Sequence, residues 1–219
     1  MKKILLIIVG IFLIGDVLAF TQTQNVTVTV LPEKIAYILK DITRPDKGFL
    51  QAFSEMNLTL VLIDDNQIKN TNFSNYRAVF IGDQPLKDTR YIPEMPAILA
   101  NKFYAKDFGF ISRGTIVQLA SNSILRIHED SEKVNIYNLS AFKLGGPNLF
   151  YYYIPYRNRN ENLSIIATTT GGSESRRGSV IAYLSEENKK CFFGIVKTQF
   201  WTNDSREFFK DCINFVIAP

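Results

Sequence analysis

Three short apolar runs, KIAYILKD (34–41), LTLVLIDD (58–65) and RAVFIGD (77–83), decide the fold. Each is continuously hydrophobic rather than alternating, and each ends in an acidic residue. Continuous hydrophobicity marks strands covered on both faces, which is the condition of a parallel sheet. Between the first two runs, Phe49, Leu50, Phe53 and Met56 fall at helical spacing over Lys47–Met56. Between the second and third lies a polar segment carrying Phe73 and Tyr76. The order reads β-α-β-α-β. With right-handed crossovers this gives an open, doubly wound, mainly parallel α/β sheet.

The C-terminal third extends this reading. NLSIIATTT (162–170) and SVIAYLS (179–185) are strands, and EENKK (186–190) is a polar hairpin connection to the partner strand CFFGIVKT (191–198). Thr202, Asn203 or Asp204 can cap a final helix with Glu207 in its first turn. Phe208, Phe209, Cys212, Ile213, Phe215 and Val216 then form a broad apolar stripe for docking on the sheet. The middle is less regular. Pro93 and Pro96 bracket the start of an expected helix over 97–104, and short β-like pieces follow through NLFYYYIPY (148–156).

The N-terminus reads as a targeting segment. Lys2 and Lys3 precede an apolar stretch from Ile4 to Ile14, too short to span a bilayer, with Val17 and Ala19 placed for cleavage after Ala19. Residues 1–19 are therefore expected to be a signal peptide, 20–32 a linker or edge strand, and 33–219 one α/β domain. Asp16 and Phe20 leave an uncleaved anchor as the alternative, and this is the one membrane contact the sequence offers. The expected location is secreted or cell-surface. N-x-S/T sequons stand at Asn25, Asn57, Asn72, Asn138, Asn162 and Asn203, as glycan acceptors or as ordinary turn and cap residues.

The chain has 219 residues, a formal net charge of +4, two Cys and one His. The charge is modest and not gathered into Lys/Arg runs, so nucleic acid is not an expected partner. One His and two Cys leave little material for a Cys/His metal site, and no metal or cofactor is implied. In an exported chain Cys191, opening a strand, and Cys212, in the helix packed on it, are positioned for a disulfide. Two buried thiols are the alternative.

The segments IAYILKD, YRAVFIGD and SVIAYLSEENKKCFFGIVKTQFWTNDSREFFKDCINFVI together resemble the class I glutamine amidotransferase-like superfamily, in its ThuA-like, flavodoxin-like branch. The likeness runs over roughly residues 33–218 and rests on hydrophobic patterning, so it implies fold more than activity. Catalytic members place a Cys on a tight strand-to-helix turn in mid-fold with a His downstream. Here Cys191 begins a strand, Cys212 lies inside the last helix, and His128 sits in the irregular middle. No catalytic residue carries over. The resemblance implies a non-catalytic, exported member of the kind found on archaeal cell surfaces.

Several residues remain as ligand-binding candidates. Asp41, Asp64, Asp65 and Asp83 close the apolar runs, at the strand edge where doubly wound sheets bind ligands; helix capping is the plainer duty for Asp there. Ser112 in FISRG resembles a nucleophile elbow, but the preceding Gly is missing and a β-like stretch follows. Tyr151, Tyr152, Tyr153 and Tyr156 with Arg157 and Arg159 form an aromatic-basic cluster, or an edge strand with alternate Tyr in the core. GGSESRRG (171–178) offers Arg176 and Arg177 to an anion, or is a solvated loop. The leading expectation is a domain that binds protein or glycan at the cell envelope. The alternative is a hydrolase or sugar-modifying enzyme working at the strand edge through Asp41, Asp83 or Ser112.

Overall fold

A computed structural model describes residues 34–120, 124–127, 132–141, 149–171 and 173–219. The expected signal peptide, the 20–32 segment with Asn25, His128 and the turn at 145–147 lie outside the described residues. Of the chain's two compact units, Pro32–Pro219 carries the fold.

Its strands are β1 (Lys34–Leu39), β2 (Thr59–Asp64), β3 (Ala78–Ile81), β4 (Ala97–Leu99), β5 (Val117–Ala120), β6 (Ile124–Ile127), β7 (Lys133–Asn135), β8 (Phe150–Tyr153), β9 (Leu163–Thr169), β10 (Ser179–Ser185) and β11 (Lys189–Phe193). Two α-helices, α1 (Lys47–Glu55) and α2 (Asn203–Ile217), stand among the described residues. Nine strands form one mixed sheet in the order β2-β1-β3-β4-β11-β10-β9-β6-β7. Pairs from β2 through β11 are parallel, and those from β11 through β7 are antiparallel. A separate antiparallel ribbon pairs β5 with β8.

The apolar residues of β1, β3 and β4 are buried, as continuous hydrophobicity requires, whereas β2 is the edge strand and leaves Leu62 36% exposed. Tyr37 of β1 lies opposite Phe80 of β3, and residues along a strand alternate faces. Phe80 meets Phe49 and Phe53 of α1 and Phe209 of α2, at ring separations of 4.8, 5.3 and 5.7 Å. Phe209 also meets Phe193 of β11 at 5.0 Å, so both helices share one face of the sheet. Phe192, the next residue along β11, points the other way and packs on Phe110 at 5.8 Å. The second face is thus covered by the irregular segment around residue 110 rather than by α-helices.

The sequence expectations are corrected at two points. Residues 97–104 do not form a helix. Ala97, Ile98 and Leu99 are β4, fully buried between β3 and β11. The crossover from β2 to β3 is not α-helical either: it is two 3₁₀ turns, Asp65–Asn70 and Phe73–Asn75. Asp64 caps the first and Asn72 the second through their own side chains. Side chains that compete for nearby N–H groups favour such turns over an α-helix. Among the described residues the two α-helices lie on one face of this mixed sheet.

Cys191 and Cys212 form a disulfide joining β11 to α2, with Cα atoms 5.8 Å apart and both residues fully buried. The register accounts for it. Cys191 pairs with Ile98 two residues before Phe193, on the face that α2 covers. Thr202 caps α2 by accepting the Ser205 N–H at 3.2 Å, and Ser205 donates its hydroxyl to the Ile136 carbonyl at 2.6 Å. The cap thereby anchors the helix start beside β7.

Candidate functional site

The carboxyl ends of β1, β3, β4 and β11 lie side by side, and the polar groups emerging there bond to one another. Asp83 follows β3. It accepts the Tyr152 hydroxyl at 2.7 Å from β8. Burial pushes the Asp83 carboxyl up from its ordinary value; the Tyr152 hydrogen bond and the Lys197 and Lys102 ammoniums pull it down, and the Asp46 charge adds to the rise. Tyr152 rises too, through burial and through the Asp83 charge. Gly194, just past β11, admits the β8 backbone: a Cβ there would lie 2.0 Å from the Tyr152 carbonyl oxygen. That close approach fixes Tyr152 over the strand ends.

Asn101 ends β4, fully buried. It donates to the Gly82 carbonyl at 3.1 Å and accepts from Phe103 N–H at 3.0 Å, so its side chain is spent on the turn. Gln84 ties β3 to β1, accepting from the Lys40 and Asp41 N–H groups at 3.0 and 3.1 Å. Asp46 caps α1, accepting from Gly48 N–H at 2.9 Å and Phe49 N–H at 3.2 Å, and it also accepts the Thr198 hydroxyl. A cleft of about 470 Å³ opens there, lined by Asp46, Gly48, Gln51, Thr198, Trp201 and Arg206 among others.

Above this network sit two lysines. Lys102 follows β4, with Nζ 5.9 Å from the Tyr152 ring centroid and 5.5 Å from that of Phe103. Lys197 follows β11, with Nζ 4.1 Å from the Phe150 ring. Phe150 and Tyr152 stand two residues apart on β8 with ring centroids 5.4 Å apart. Among the described residues neither ammonium is within 4.0 Å of a carboxylate.

The sequence candidates are scattered rather than gathered. Asp41 is used locally: the Thr43 hydroxyl and N–H hold its carboxyl below the usual range. Asp64 caps the turn after β2, and Asp65 is buried against the Lys87 N–H at 2.9 Å. Ser112 is exposed on a loop, its hydroxyl 3.4 Å from the Asn158 and Arg159 carbonyls. Tyr151 is 1% exposed and belongs to the core; burial pushes its hydroxyl up to about 12. Tyr153 packs against Gly178. Arg157 is exposed, and its carbonyl accepts from Arg113 at 2.8 Å. Arg159 stacks on Tyr156 at 4.4 Å, apart from the Asp83 network. The loop holding Arg176 is a short 3₁₀ turn, without the strand–loop–helix order of a phosphate cradle. Of the ligand candidates, Asp83 and Tyr152 are joined side chain to side chain in the network. Lys102 and Lys197 carry no sequence signal, since nothing local links them to the rings of β8.

Five of the six sequons fall on described residues, and Asn57, Asn72, Asn138, Asn162 and Asn203 are all exposed. Asn72 and Asn138 already accept the hydroxyls of their own sequon serines, Ser74 and Ser140, at 2.8 and 2.5 Å. Asn57 has φ of +57°, the left-handed geometry of a helix end. Among the described residues no group of three or more His, Cys, Asp or Glu is placed to hold a metal ion, and no helix is long and apolar enough to cross a membrane.

No protein-family model matches the chain, and no curated protein matches it. Among solved structures it is similar to the mmIFT52 N-terminal domain, with a TM-score of 0.51 and 9% identity over 85% of this chain and 98% of that one. It also aligns with a glutamine amidotransferase from Thermotoga maritima, with a TM-score of 0.46 and 6% identity over 87% of this chain and all of that one. At such identity the first likeness concerns the fold alone.

Proposed function

We propose that this protein is an exported, non-catalytic domain that binds protein or glycan at the cell envelope. Its scaffold, on this reading, is a flavodoxin-like, amidotransferase-like sheet whose second face has exchanged α-helices for loops and a β-ribbon. The observation that carries the reading is the strand-end edge. Its polar side chains are tied to one another: half-buried Asp83 takes the Tyr152 hydroxyl through one oxygen, half-buried Asp46 takes Thr198 and the α1 cap, and buried Asn101 serves Gly82 and its own turn. A catalytic edge needs a nucleophile and a base aimed at open space. Here the strand ends instead support a surface of lysines and aromatic rings.

Two further observations support it. Cys191 and Cys212 are joined and buried, and a disulfide sulfur is no thiolate nucleophile. A structural disulfide also suits an oxidising compartment, as the expected signal peptide and exposed sequons do.

The test is chemical. The purified protein is exposed to a fluorophosphonate serine probe and to a panel of chromogenic esters and glycosides. The reading expects no covalent labelling and no turnover above a heat-denatured control. Labelling that disappears in Ser112→Ala, or turnover that disappears in Asp83→Asn, would replace it with the hydrolase alternative.

A further inference from the structure

The lysine–aromatic surface has a definite chemistry. Lys102 and Lys197 emerge from adjacent parallel strands, β4 and β11, and each ammonium lies over a ring of β8. Both are half-buried, and both act on Asp83. An ammonium leaning on a ring is still short of an anionic partner, because the ring satisfies none of its N–H donors fully. Asp83 supplies the complement. One of its oxygens takes the Tyr152 hydroxyl, and among the described residues the other has no hydrogen-bond partner and is not one of the sealed-off atoms. Beside them Phe103 is 48% exposed, an apolar face next to the Lys102 ammonium.

A ligand that satisfies all of these groups must carry negative charge for two point-like cations. It must also carry a hydroxyl for a carboxylate acceptor and a face of C–H groups for an exposed ring. We propose that the surface formed by Asp83, Lys102, Phe103, Phe150 and Lys197, above the buried Tyr152, binds an acidic saccharide of the uronic acid type. Its carboxylate lies between the two ammoniums, one of its hydroxyls donates to Asp83, and its ring lies against Phe103. A neutral glycan leaves both lysines unpaired, and a bare small anion leaves Asp83 and Phe103 unused. This inference rests on the binding-domain reading and narrows its glycan arm to one class.

The experiment is a calorimetric titration of the purified protein with an oligogalacturonate. The comparisons are the same oligomer with its carboxylates methyl-esterified, and sodium acetate. The expected result is saturable binding of the free acid, weakened by added salt. Binding of the ester should be at least roughly tenfold weaker, since charge-assisted hydrogen bonds are about twice as strong as neutral ones. Lys102→Gln and Lys197→Gln should each cost roughly tenfold in affinity with the fold retained, because among the described residues neither lysine holds a salt bridge. Four results overturn the proposal: no binding of the oligogalacturonate, equal binding of ester and acid, equal binding of acetate, or full affinity in both lysine variants. Any of these, with the protein still retained on native envelopes, removes the acidic saccharide and leaves the binding domain. Loss of envelope retention as well removes both.

Discussion

The Cys191–Cys212 bond makes the most quantitative demand on this account. It closes a loop with a sequence separation of 21 residues, from the middle of the sheet to the last helix. For a loop of about that length, the chain-entropy relation gives roughly 3 kcal/mol of stabilisation at 25 °C. In a domain of this size, each 1 kcal/mol moves the melting temperature by about 2–4 °C. Replacing both cysteines by alanine is therefore expected to lower it by about 6–12 °C. Secondary structure should persist, because Phe209 still meets Phe49, Phe53, Phe80 and Phe193 around the missing bond. Calorimetry of the two forms gives the shift. Thiol titration with an aromatic disulfide reagent gives the bond itself: no reactive thiol is expected in guanidinium without reductant, and both after reduction. Two reactive thiols in denatured but unreduced protein would refute the crosslink. A double-alanine variant that melts with the parent would refute its energetic role.

Other expectations are local. Asp46→Ala removes the acceptor of two α1 N–H groups and of the Thr198 hydroxyl; it should cost about 1–2 kcal/mol in urea unfolding, while Asp46→Asn should cost less. Gly194→Ala should lower stability far more than an exposed substitution, since the new Cβ would meet backbone 2.0 Å away; thermal melts that match the parent would show that β8 can yield. Asp83 gives a pH dependence. Its folded value is raised above the ordinary 3.8, so its contribution is fully present below that value and is lost as pH rises through the raised one. Relative to Asp83→Asn, the parent should therefore be comparatively more stable at about pH 3 than at about pH 7, and paired melts that hold a constant difference would contradict the assignment.

How much of this was legible in the sequence follows from how local each signal is. The β1 and β3 runs are readable because strands with both faces covered lose alternation altogether, while β2 keeps a continuous apolar run although it is the half-exposed edge strand. The last hairpin and α2 were readable from turn residues, the Thr202 cap and an apolar stripe. Placing one cysteine on a strand and the other on the helix above it leaves a disulfide or two buried thiols, and the structure has the disulfide. The β4 strand reads as a helix start in the sequence because only three residues pair there, too few to show a period, and Pro93 and Pro96 stand just before them. The β2–β3 crossover was missed as a pair of 3₁₀ turns because its Asp and Asn side chains make capping bonds that periodicity does not register. At the site, Asp83 carried a signal as the acid closing a strand. Its partner Tyr152 is 69 residues away and sits on a ribbon outside the main sheet. Both Tyr151 and Tyr152 are buried, one into the core and one onto Asp83, so the alternation that would separate core from surface fails on β8 as well.

The edge of the parallel strands is proposed to bind and not to catalyse. A binding isotherm on native envelopes tests it most directly: labelled protein is mixed with rising amounts of envelope, the sedimented fraction is measured, and the envelope is analysed for cleavage products. The account predicts saturable retention, weakened when Lys102 and Lys197 are both changed to Gln, and an envelope left chemically intact. Retention that does not saturate, or release of products in proportion to added protein, would contradict it.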